Sequence, residues 1–317
     1  MDRMICITGP TATGKTRLAV MLAGKLNGEV ISCDSMQLYR GMDVGTAKVT
    51  KEEAQGIVHH MIDVADPAEA FSVGRFREMA EPIAEDILAR GKTVILAGGT
   101  GLYMDALVLG RSFAAPATGK REALEELADR EGIEAVQAIL RECDPEAAER
   151  LHPGDRRRII RAVEIYQETG QTMTEHDRLS RLIPPKYQPV WLALNYENRG
   201  DLYRRIDARV DEMIENGLED EIDRLIAVGL APNATSLQAI GYKELLCARR
   251  GEMTRLEAID RIKQLSRNYA KRQLTWLKRN PAIHWISLSS QPEAEAVFRQ
   301  AVEILRQENF PGIEKIN

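Results

Sequence analysis

Short apolar runs alternate with amphipathic segments along the first third of the chain. The runs at residues 4–8, 29–33 and 93–97 have the length and composition of buried strands. Between them, apolar residues recur every three or four positions from Leu18 onward and again through residues 71–90, which is the spacing of a helix packed on one face. This alternation predicts an α/β fold in which helices flank a parallel sheet.

The pattern changes near residue 113. From there to residue 189 no β-patterned run occurs, and charged helical sequence takes its place. A strand pattern returns at residues 190–195 and is expected to rejoin the first sheet, followed by an edge strand at residues 283–287 and a C-terminal helix. We therefore expect a core made of residues 1–112 and 190–317, interrupted by a mostly helical insertion domain at residues 113–189.

A glycine-rich segment joins the first predicted strand to the first predicted helix. It matches the pattern G-x-x-x-x-G-K-[ST] in full and consists of Gly9, Pro10, Thr11, Ala12, Thr13, Gly14, Lys15 and Thr16. Its glycines allow successive N–H groups to converge on phosphate oxygens at the positive end of the helix. Lys15 would neutralise the outer phosphates, and the Thr16 hydroxyl would bind Mg²⁺. The segment predicts a P-loop NTPase-like core; a chance glycine turn is the alternative.

Polar or glycine-rich residues also follow the next two strands. Residues 34–37, Asp-Ser-Met-Gln, come directly after the second strand, and a second glycine-rich loop at residues 98–103 follows the third. Because the carboxyl ends of parallel strands meet at one edge of a sheet, both loops should share a crevice with the P-loop. Asp34 would then lie beside the phosphates, although a turn aspartate is the commoner fate at a strand end. Residues 39–48 fit a substrate-facing loop and an ordinary surface loop about equally.

Composition places the chain among globular proteins. It has 317 residues, 44% of them apolar, and a net charge of -5, which argues against indiscriminate polyanion binding. Its cysteines form no C-x-x-C pair, so neither a disulfide framework nor a zinc knuckle is indicated. With neither a charged leader nor an apolar run long enough for a bilayer, the chain is expected to be cytoplasmic and without membrane contact.

The adjacent His59 and His60, with Asp63 nearby, do not predict a metal site. Neighbouring side chains on an extended chain point to opposite faces, so both rings cannot easily bind one ion. We expect a strand-edge or packing role for them.

Positive charge is concentrated in two regions despite the negative total. In the insertion, Arg157 and Arg161 lie one helical turn apart in a run without acidic residues, which favours a phosphate or nucleobase contact over a solvated face. Near the C-terminus, Lys263, Arg267 and Lys271 recur every four residues. They predict a basic ridge along one helix, for which a nucleic-acid backbone is the natural partner.

Two further arginines flank the helix that follows residue 195. Arg205 and Arg209 could reach inward to an anion, or they could pair with nearby acids, namely Asp201, Asp207 or Glu212. Pairing and anion binding are about equally expected for Arg205, whereas pairing is less expected for Arg209.

Six segments resemble the bacterial tRNA dimethylallyltransferases, also called isopentenyl-diphosphate:tRNA transferases, and occur in the order found in that family. They are G-P-T-A-T-G-K-T, D-S-M-Q-L-Y-R-G-M-D-V-G-T-A-K, G-G-T-G-L-Y, R-R-x-x-R-A-x-E at residues 157–164, A-I-G-Y-K-E and N-Y-A-K-R-Q-L-T-W. The resemblance covers nearly the whole chain. It implies transfer of a dimethylallyl group from dimethylallyl diphosphate to the exocyclic N6 amine of the adenosine 3′ of the anticodon in tRNA, with Mg²⁺ as cofactor.

The resemblance also implies roles for individual residues. Asp34 contacts the adenine amine and serves as general base, and Thr100 also meets the tRNA. Lys15, Thr16 and Arg209 serve the diphosphate. The other positions that match tRNA-contacting segments are Ser35, Met36, Gln37, Arg157, Arg158, Arg161, Gln238, Gly241, Lys243, Lys271, Arg272 and Lys278. The family further implies extrusion of the target base and a monomer that binds the anticodon stem-loop.

Two other functions fit parts of the same pattern. An ATP-dependent P-loop small-molecule kinase would use the same nucleotide-binding loop and fold, and a non-catalytic RNA-binding P-loop protein would use the same basic segments. A typical P-loop NTPase also has an apolar strand that ends in a magnesium-binding Asp, whereas the run at residues 190–194 ends in Asn195. The basic segments disfavour the kinase, and the presence of Asp34 and residues 98–101 at one crevice disfavours the pure RNA binder.

Overall fold

The computed structural model describes residues 2–110 and 119–316, except for the side chains of Arg181 and Lys315. The chain divides into two compact units, one formed by Met1–Val108 with Lys186–Asn317 and the other by Leu109–Pro185. The expected start of the insertion at residue 113 lies outside the described residues. The insertion was expected to end at residue 189, and the second unit ends at Pro185.

Six parallel strands among the described residues form a single sheet in the first unit. In chain order they are β1 (Arg3–Thr8), β2 (Gly28–Ser32), β3 (His59–His60), β4 (Thr93–Ala97), β5 (Gln188–Tyr196) and β6 (Ile283–Leu288). Their spatial order is β3-β2-β4-β1-β5-β6, so β1 lies between β4 and β5. The predicted strands are confirmed, including the return of the chain to the sheet at β5 and the edge strand β6. The arrangement is P-loop NTPase-like.

Helices connect these strands and build the second unit. In chain order they are α1 (Lys15–Lys25), α2 (Lys51–Ala54), α3 (Val73–Ala89), α4 (Gly101–Val108), α5 (Lys120–Glu131), α6 (Ile133–Cys143), α7 (Pro145–Arg150), α8 (Arg156–Thr169), α9 (Met173–Leu182), α10 (Arg199–Glu215), α11 (Leu218–Ala227), α12 (Tyr242–Arg249), α13 (Arg255–Leu277) and α14 (Ala294–Gln307). Short 3-10 segments lie at Ser236–Gln238 and Ile313–Lys315. None of the helices described has both the length and the apolar character needed to cross a bilayer.

The core of the first unit forms where the sheet meets α1, α10 and α14. Leu22 of α1, Ile206 of α10 and Phe298 of α14 belong to one buried cluster. Each such side chain contributes about 1.5–3 kcal/mol by leaving water. The apolar side of α10 is buried at Leu202 and half-buried at Met213, where the helix nears its end.

The helix α3 lies within the segment predicted at residues 71–90 and spans Val73–Ala89. The Ser72 hydroxyl accepts a hydrogen bond from the Arg75 N–H at 3.1 Å and so caps the first turn. Gly91, just beyond the helix, has a φ of 68°, a left-handed conformation that glycine adopts without strain. The chain can therefore turn directly from α3 into β4.

The second unit has an apolar core of its own. Val136 and Leu140 of α6 and Ile160 of α8 are fully buried in it. Asp144 connects its elements, because its carboxylate accepts hydrogen bonds from the Ala147 N–H at 3.1 Å and from the N–H and hydroxyl of Thr174 at 3.0 and 2.8 Å. Helical sequence in this segment was predicted, and the described residues form helices α5 to α9.

Glu29 is a buried carboxylate in β2 that binds two cationic side chains and one histidine ring. Its side chain is 4% exposed, and it accepts hydrogen bonds from Arg90 at 2.9 Å and from Lys92 at 2.7 Å. The ring nitrogen Nε2 of His60 lies 2.7 Å from the same carboxylate. The hydrogen bonds from Arg90, Lys92 and His60 hold the pKa of Glu29 well below its usual range. The strand-edge role predicted for His59 and His60 is confirmed, since both form β3 at the edge of the sheet.

Replacing Glu29 with Gln should lower the free energy of unfolding at neutral pH by about 2–3 kcal/mol, because charge-assisted hydrogen bonds to a buried group are lost. The folded-state pKa is lowered, so the carboxylate contributes its full stabilisation above its ordinary pKa of 4.5. That contribution begins to decrease as the pH falls below 4.5, and it is lost completely only when the pH falls through the lowered folded-state pKa. Urea unfolding at neutral pH and at about pH 4 should show the difference between wild type and Glu29→Gln shrinking at the lower pH.

The control for this experiment is Asp86→Asn. Asp86 is an exposed partner of the same Arg90, so its replacement should cost less than about 1 kcal/mol. An equal loss in both variants would contradict a special role for the buried carboxylate.

Candidate functional site

The P-loop surrounds the N-terminus of α1 in a conformation that requires its glycines. Gly9 has a φ of 140° and Gly14 a φ of 83°, both in the region that favours glycine. A Cβ at Gly9 would lie 2.4 Å from the carbonyl oxygen of Leu194 in β5. Within the loop, the Thr13 hydroxyl donates to the Pro10 carbonyl at 2.9 Å. The first N–H groups of α1 are left for a ligand, since Gly14 has no side chain that could cap them.

Lys15 folds back over this loop. Its ammonium donates to the carbonyl oxygens of Gly9 and Pro10 at 3.0 and 2.7 Å. Burial, together with the positive charge of Arg209, lowers the pKa of Lys15 to about 7, although the Asp34 carboxylate acts in the opposite direction. A bound anion would offset this penalty, so Lys15 is placed to gain from a phosphate group.

The positive charge of Arg209, in α10, contributes to the lowered pKa of Lys15. The Arg209 Nε is buried and has no hydrogen-bond partner among the described residues. Burial lowers the pKa of Arg209, and the Asp34 carboxylate opposes that shift. Arg205 instead pairs with Glu212 at 2.7 Å. The pairing alternative is thus confirmed for Arg205, and Arg209 is the arginine whose environment suits an anion.

Asp34 follows β2 and is half-buried. Its Oδ1 accepts a hydrogen bond from the Met36 N–H at 2.9 Å, the turn contact that an aspartate at a strand end often makes. Its charge also acts on the pKa values of Lys15 and Arg209. Asp34 therefore shapes a turn and lies near the two cations of the P-loop region, so the two roles considered for it are compatible.

The loops after β2 and β4 are joined by backbone contacts. The Cys33 N–H donates to the Ala97 carbonyl at 2.8 Å, and the Thr100 N–H donates to the Cys33 carbonyl at 3.1 Å. The Ser35 N–H donates to the Thr100 hydroxyl oxygen at 3.1 Å. A Cβ at Gly98 would lie 2.2 Å from the Cys33 carbonyl oxygen, so only glycine fits there. Because β4 lies between β2 and β1, the predicted convergence of three strand ends is confirmed.

One face of α13 contacts the P-loop and the loop after β4, and no sequence pattern predicted this contact. Gln273 accepts a hydrogen bond from the Thr11 N–H of the P-loop at 2.9 Å and donates one to the Gly99 carbonyl at 3.0 Å. A Cβ at Gly101 would come within 2.3 Å of the Trp276 ring. The sequence did contain one indication, since Gln273 and Trp276 lie in N-Y-A-K-R-Q-L-T-W, one of the six segments that carry the family resemblance.

Tyr269 lies on this face as well. Burial and the nearby charge of Asp34 raise the pKa of Tyr269 to about 12, while its hydrogen bond with Thr100 acts in the opposite direction. The phenol is therefore neutral at physiological pH. It adds a hydroxyl group to the contacts around Thr100 and Asp34.

The basic ridge predicted on α13 is wrong for two of its three residues. Lys263 pairs with Asp211 at 2.6 Å, and Arg267 makes two hydrogen bonds to Asp207 at 2.6 and 2.7 Å. Both acids belong to α10, which packs against α13, so their charges could not be seen in the α13 sequence alone. Lys271 is exposed, with its ammonium 5.9 Å from the ring centre of Tyr203. Arg272 and Lys278, predicted with Lys271 to contact tRNA, are also exposed.

The insertion arginines are also more strongly paired than their run suggests. Arg158 lies 3.3 Å from Asp155, and Arg161 lies 2.7 Å from Glu164, a fully buried carboxylate. The inference from a run without acids therefore needs correction, because acids on either side of the run neutralise part of its charge. Arg157 is exposed, and no acid within the described residues forms an ion pair with it.

The segment around α12 presents some of its predicted tRNA-contacting residues. Gln238 and Lys243 are exposed, whereas Gly241 is buried and has a φ of 105°. The two exposed residues border a cavity of about 310 Å³ whose other lining residues are Pro232, Asn233, Leu237, Leu246 and Arg250.

The chain resembles one group of proteins along almost its whole length. The IPP transferase family model matches residues 37–280. The tRNA dimethylallyltransferase of Caldanaerobacter subterraneus subsp. tengcongensis is 45% identical over 306 residues, which cover 96% of this chain and 97% of that protein. The tRNA dimethylallyltransferase of Halalkalibacterium halodurans is 46% identical, with 91% and 92% covered.

Solved structures give the same picture. The full-length tRNA isopentenylpyrophosphate transferase from Bacillus halodurans is 40% identical, has a TM-score of 0.71, and the match covers 98% of each chain. A eukaryotic dimethylallyltransferase acting on tRNA is 31% identical, has a TM-score of 0.80, and the match covers 98% of this chain and 81% of that one. Both likenesses extend over the two units of the fold.

Binding of inorganic diphosphate should be coupled to proton uptake by Lys15. With its pKa lowered to about 7, the side chain is mostly neutral one pH unit higher, and a bound polyanion restores its charge. Isothermal titration calorimetry in buffers of different ionisation enthalpy measures the number of protons taken up on binding. At about pH 8, wild type should take up to about one more proton than Lys15→Arg, because the arginine side chain is charged with or without ligand. The difference should vanish near pH 6, at roughly one unit below the pKa. Equal uptake by both proteins at each pH would mean that Lys15 is already charged without ligand.

Proposed function

The chain belongs to the IPP transferase family, and from this premise we propose that it transfers a dimethylallyl group from dimethylallyl diphosphate to the exocyclic N6 amine of the adenosine 3′ of the anticodon in tRNA, releasing diphosphate. One observation supports this most directly. Asp34 follows β2, whose end lies at the same edge of the sheet as the P-loop, and its carboxylate acts on the pKa values of Lys15 and Arg209. A base is therefore placed beside an anion site.

The reaction is a substitution at the C1 carbon of the dimethylallyl group. A bond forms from N6 to C1 while the bond from C1 to the diphosphate oxygen breaks, and N6 loses one proton. An exocyclic amine is a poor nucleophile because its lone pair is delocalised into the purine ring. Asp34 would orient the amine and accept its proton, and its hydrogen bond from the Met36 N–H would hold the carboxylate in place.

The P-loop region would stabilise the departing diphosphate. Negative charge builds up on the diphosphate as its bond to carbon breaks, and three groups would stabilise this charge: the N–H groups at the start of α1, the Lys15 ammonium and the Arg209 guanidinium. Because burial disfavours the charges of Lys15 and Arg209 without a ligand, their interaction with the leaving group gains strength. This use of a P-loop differs from phosphoryl transfer, since the whole diphosphate leaves.

Magnesium is the proposed cofactor. The exposed Thr16 residue at the first turn of α1 would bind it through the hydroxyl, together with diphosphate oxygens and water, a mixture that suits Mg²⁺. The described residues contain no group of three or more His, Cys, Asp or Glu that could hold an ion alone, so a bound ion would depend on the diphosphate. When bound, it neutralises part of the diphosphate charge.

The tRNA would present its target base to the crevice after extrusion from the anticodon loop. Ser35, Met36 and Gln37 follow Asp34 in the chain. Thr100 lies beside this segment, since its hydroxyl oxygen accepts a hydrogen bond from the Ser35 N–H. The exposed Lys271, Arg272 and Lys278 would bind phosphates, as would Arg157 on the insertion. Extrusion costs a few kcal/mol, which stacking and phosphate contacts offset.

A kinase is not favoured as the alternative. ATP would fit the same P-loop, but β4 is followed by Gly98 and β5 ends in Tyr196, so neither of these strands supplies the usual magnesium-binding aspartate. An RNA-binding protein without catalysis would leave Asp34 and Arg209 without a role. The proposal includes action as a monomer in the cytoplasm, as the family resemblance implies.

Mass spectrometry of unmodified tRNA tests the proposed function. Incubation with the protein and dimethylallyl diphosphate should add one dimethylallyl group per tRNA, whereas ATP should leave the mass unchanged. Transfer of phosphate to any substrate would favour the kinase, and binding without a mass gain would favour the non-catalytic RNA binder.

In the same assay, Asp34→Asn should lower the single-turnover rate by about 10²- to 10⁴-fold, with near-normal folding and affinity for dimethylallyl diphosphate. Asparagine keeps the shape and can still accept the Met36 N–H bond, but it cannot take a proton. If Asp34 only caps a turn or acts through a magnesium-bound water, the variant should instead lose thermal stability or recover with added magnesium. A rate within a few-fold of wild type across a magnesium series would contradict the general-base role of Asp34.

Charge reversal of Lys271 and Arg272 should flatten the salt dependence of tRNA affinity, by about one unit of log-log slope for each phosphate that is no longer neutralised. Arg267→Glu is the matched control on the same helix. Because Arg267 faces Asp207, its reversal should destabilise the packing of α13 on α10 and leave the slope unchanged. Filter binding at several salt concentrations, with urea unfolding alongside, measures both effects. An unchanged slope in the Lys271 and Arg272 variant would remove this part of α13 from the RNA site.

A further inference from the structure

Glu221 of α11 is a buried carboxylate that binds a loop far from it in the chain. It is 1% exposed, and it accepts hydrogen bonds from the N–H groups of Asp43 and Val44 at 2.7 Å and of Gly45 at 3.1 Å. The hydroxyl of Tyr242 donates to the same carboxylate at 2.6 Å. Four donors therefore converge on two oxygens that accept only, which fully uses an ionised carboxylate.

Consecutive backbone N–H groups that point at one anion form a site of the kind that proteins use for phosphates. Here the anion is a side chain of the protein itself, so the loop is fixed before any ligand arrives. The fit is close, since a Cβ at Gly45 would lie 2.5 Å from the Tyr242 hydroxyl oxygen. The loop at residues 39–48, for which a substrate-facing and a surface role were equally expected, is thereby held from inside the protein.

The fixed loop is connected to the segment that carries Asp34. The Gln37 side chain donates to the carbonyls of Thr46 and Ala47 at 3.2 and 3.3 Å, immediately after the three bound N–H groups. Its amide oxygen accepts a hydrogen bond from the Ser32 hydroxyl at 2.8 Å, at the end of β2. Gln37 thus spans from the loop held by Glu221 to the strand end that precedes Asp34.

On its other side, Glu221 is connected to α12. Tyr242 is fully buried at the first position of this helix and lies between Gly241 and Lys243 in the chain. The Gly241 N–H donates to the Glu244 carboxylate at 2.8 Å, which holds the start of the helix. One carboxylate therefore binds the N–H groups of residues 43–45, which Gln37 connects to the segment of Asp34, and the Tyr242 hydroxyl between Gly241 and Lys243. The family resemblance implies tRNA contacts for positions in both segments, residues 34–37 and 238–243.

We propose that Glu221 is a positioning residue for the transfer reaction, which aligns the segment of Asp34 and Gln37 with the segment of Gln238 and Lys243 so that both meet one tRNA. The inference rests on the proposed function of this site. Glu221 touches neither substrate and acts through the loop at residues 43–47 and through Tyr242.

Glu221→Gln tests the proposal because it keeps the shape of the side chain. One of its two terminal atoms becomes a donor that faces an N–H or hydroxyl donor, so the set of four hydrogen bonds cannot persist. We expect the single-turnover kcat/KM for tRNA to fall by about 10- to 100-fold, because a small misplacement of reacting groups has effects of this size. The Kd for dimethylallyl diphosphate should change less than about two-fold, since the P-loop contacts remain.

The matched control is Glu219→Gln, on the same helix. Glu219 pairs with Arg255 through an accessible side chain, so its replacement should leave transfer unchanged. Tyr242→Phe removes only one of the four donors and should give a smaller loss than Glu221→Gln. Gly45→Ala, which pushes on Tyr242 without touching the carboxylate, should also slow transfer. These two variants carry the test if Glu221→Gln does not fold, and unchanged transfer in both would overturn the proposal.

Combination with Gln37→Ala separates positioning from a general loss of stability. If Glu221 acts through Gln37, the double variant should be little slower than the slower single variant. Effects that multiply, or a loss of melting temperature with full activity of the folded protein, would overturn the proposal.

Hydrogen exchange gives a readout that needs no catalysis. The amides of Asp43, Val44 and Gly45 should exchange at least about ten-fold faster in Glu221→Gln than in wild type or Glu219→Gln. Unchanged exchange would overturn the proposal even if transfer were slowed. Because this measurement is independent of dimethylallyl transfer, failure of the proposed function can be told apart from failure of the Glu221 assignment.

Discussion

Close backbone approach between neighbouring loops is the constraint on which the candidate site depends. A Cβ at Gly9 would lie 2.4 Å from a carbonyl of β5, one at Gly98 would lie 2.2 Å from a carbonyl after β2, and one at Gly99 would lie 2.2 Å from the Gln273 amide. Parallel pairing brings the strand ends to one edge of the sheet, and the glycines allow the loops there to touch. The phosphate-binding loop, the carboxylate and the covering helix can share one crevice because glycine at these three positions leaves room for the neighbouring backbone and for the Gln273 side chain.

The positive charges of Lys15 and Arg209 in this crevice favour binding of an anion, and their burial is unfavourable in the ligand-free protein. Burial lowers the pKa values of Lys15 and Arg209, and the Asp34 carboxylate, which acts on both, offsets this only in part. Perturbed groups of this kind cluster at functional sites. The contrast with Glu29 is instructive, because its bonds with several cations lower its pKa and satisfy the buried charge within the fold. The first arrangement favours binding of an anion, and the second favours stability.

Pairing between helices determines which basic residues remain for RNA. On α13, the acids of α10 neutralise Lys263 and Arg267, whereas Lys271, Arg272 and Lys278 stay exposed. In the insertion, Glu164 binds Arg161, whereas Arg157 is accessible. The basic surfaces predicted from the sequence are therefore limited to the lysines and arginines that remain exposed. The same principle gives Glu221 its importance, since one buried acid can hold two distant segments.

By itself, the sequence determined the α/β fold, the P-loop and the meeting of Asp34 with the second glycine-rich loop. These depend on local periodicity and on the rule that parallel strand ends share an edge, both of which are written in short windows of sequence. Only the tertiary structure decided the role of Gln273, the anchoring of a loop by Glu221 and the pairing of Arg267 with Asp207. The partners in that last pair are 60 residues apart, whereas Gln273 is more than 170 residues from Thr11 and Gly99, and Glu221 is more than 170 residues from the loop that it anchors. Contacts of this kind follow from how helices pack, and no local pattern records which charges will face each other once the chain has folded.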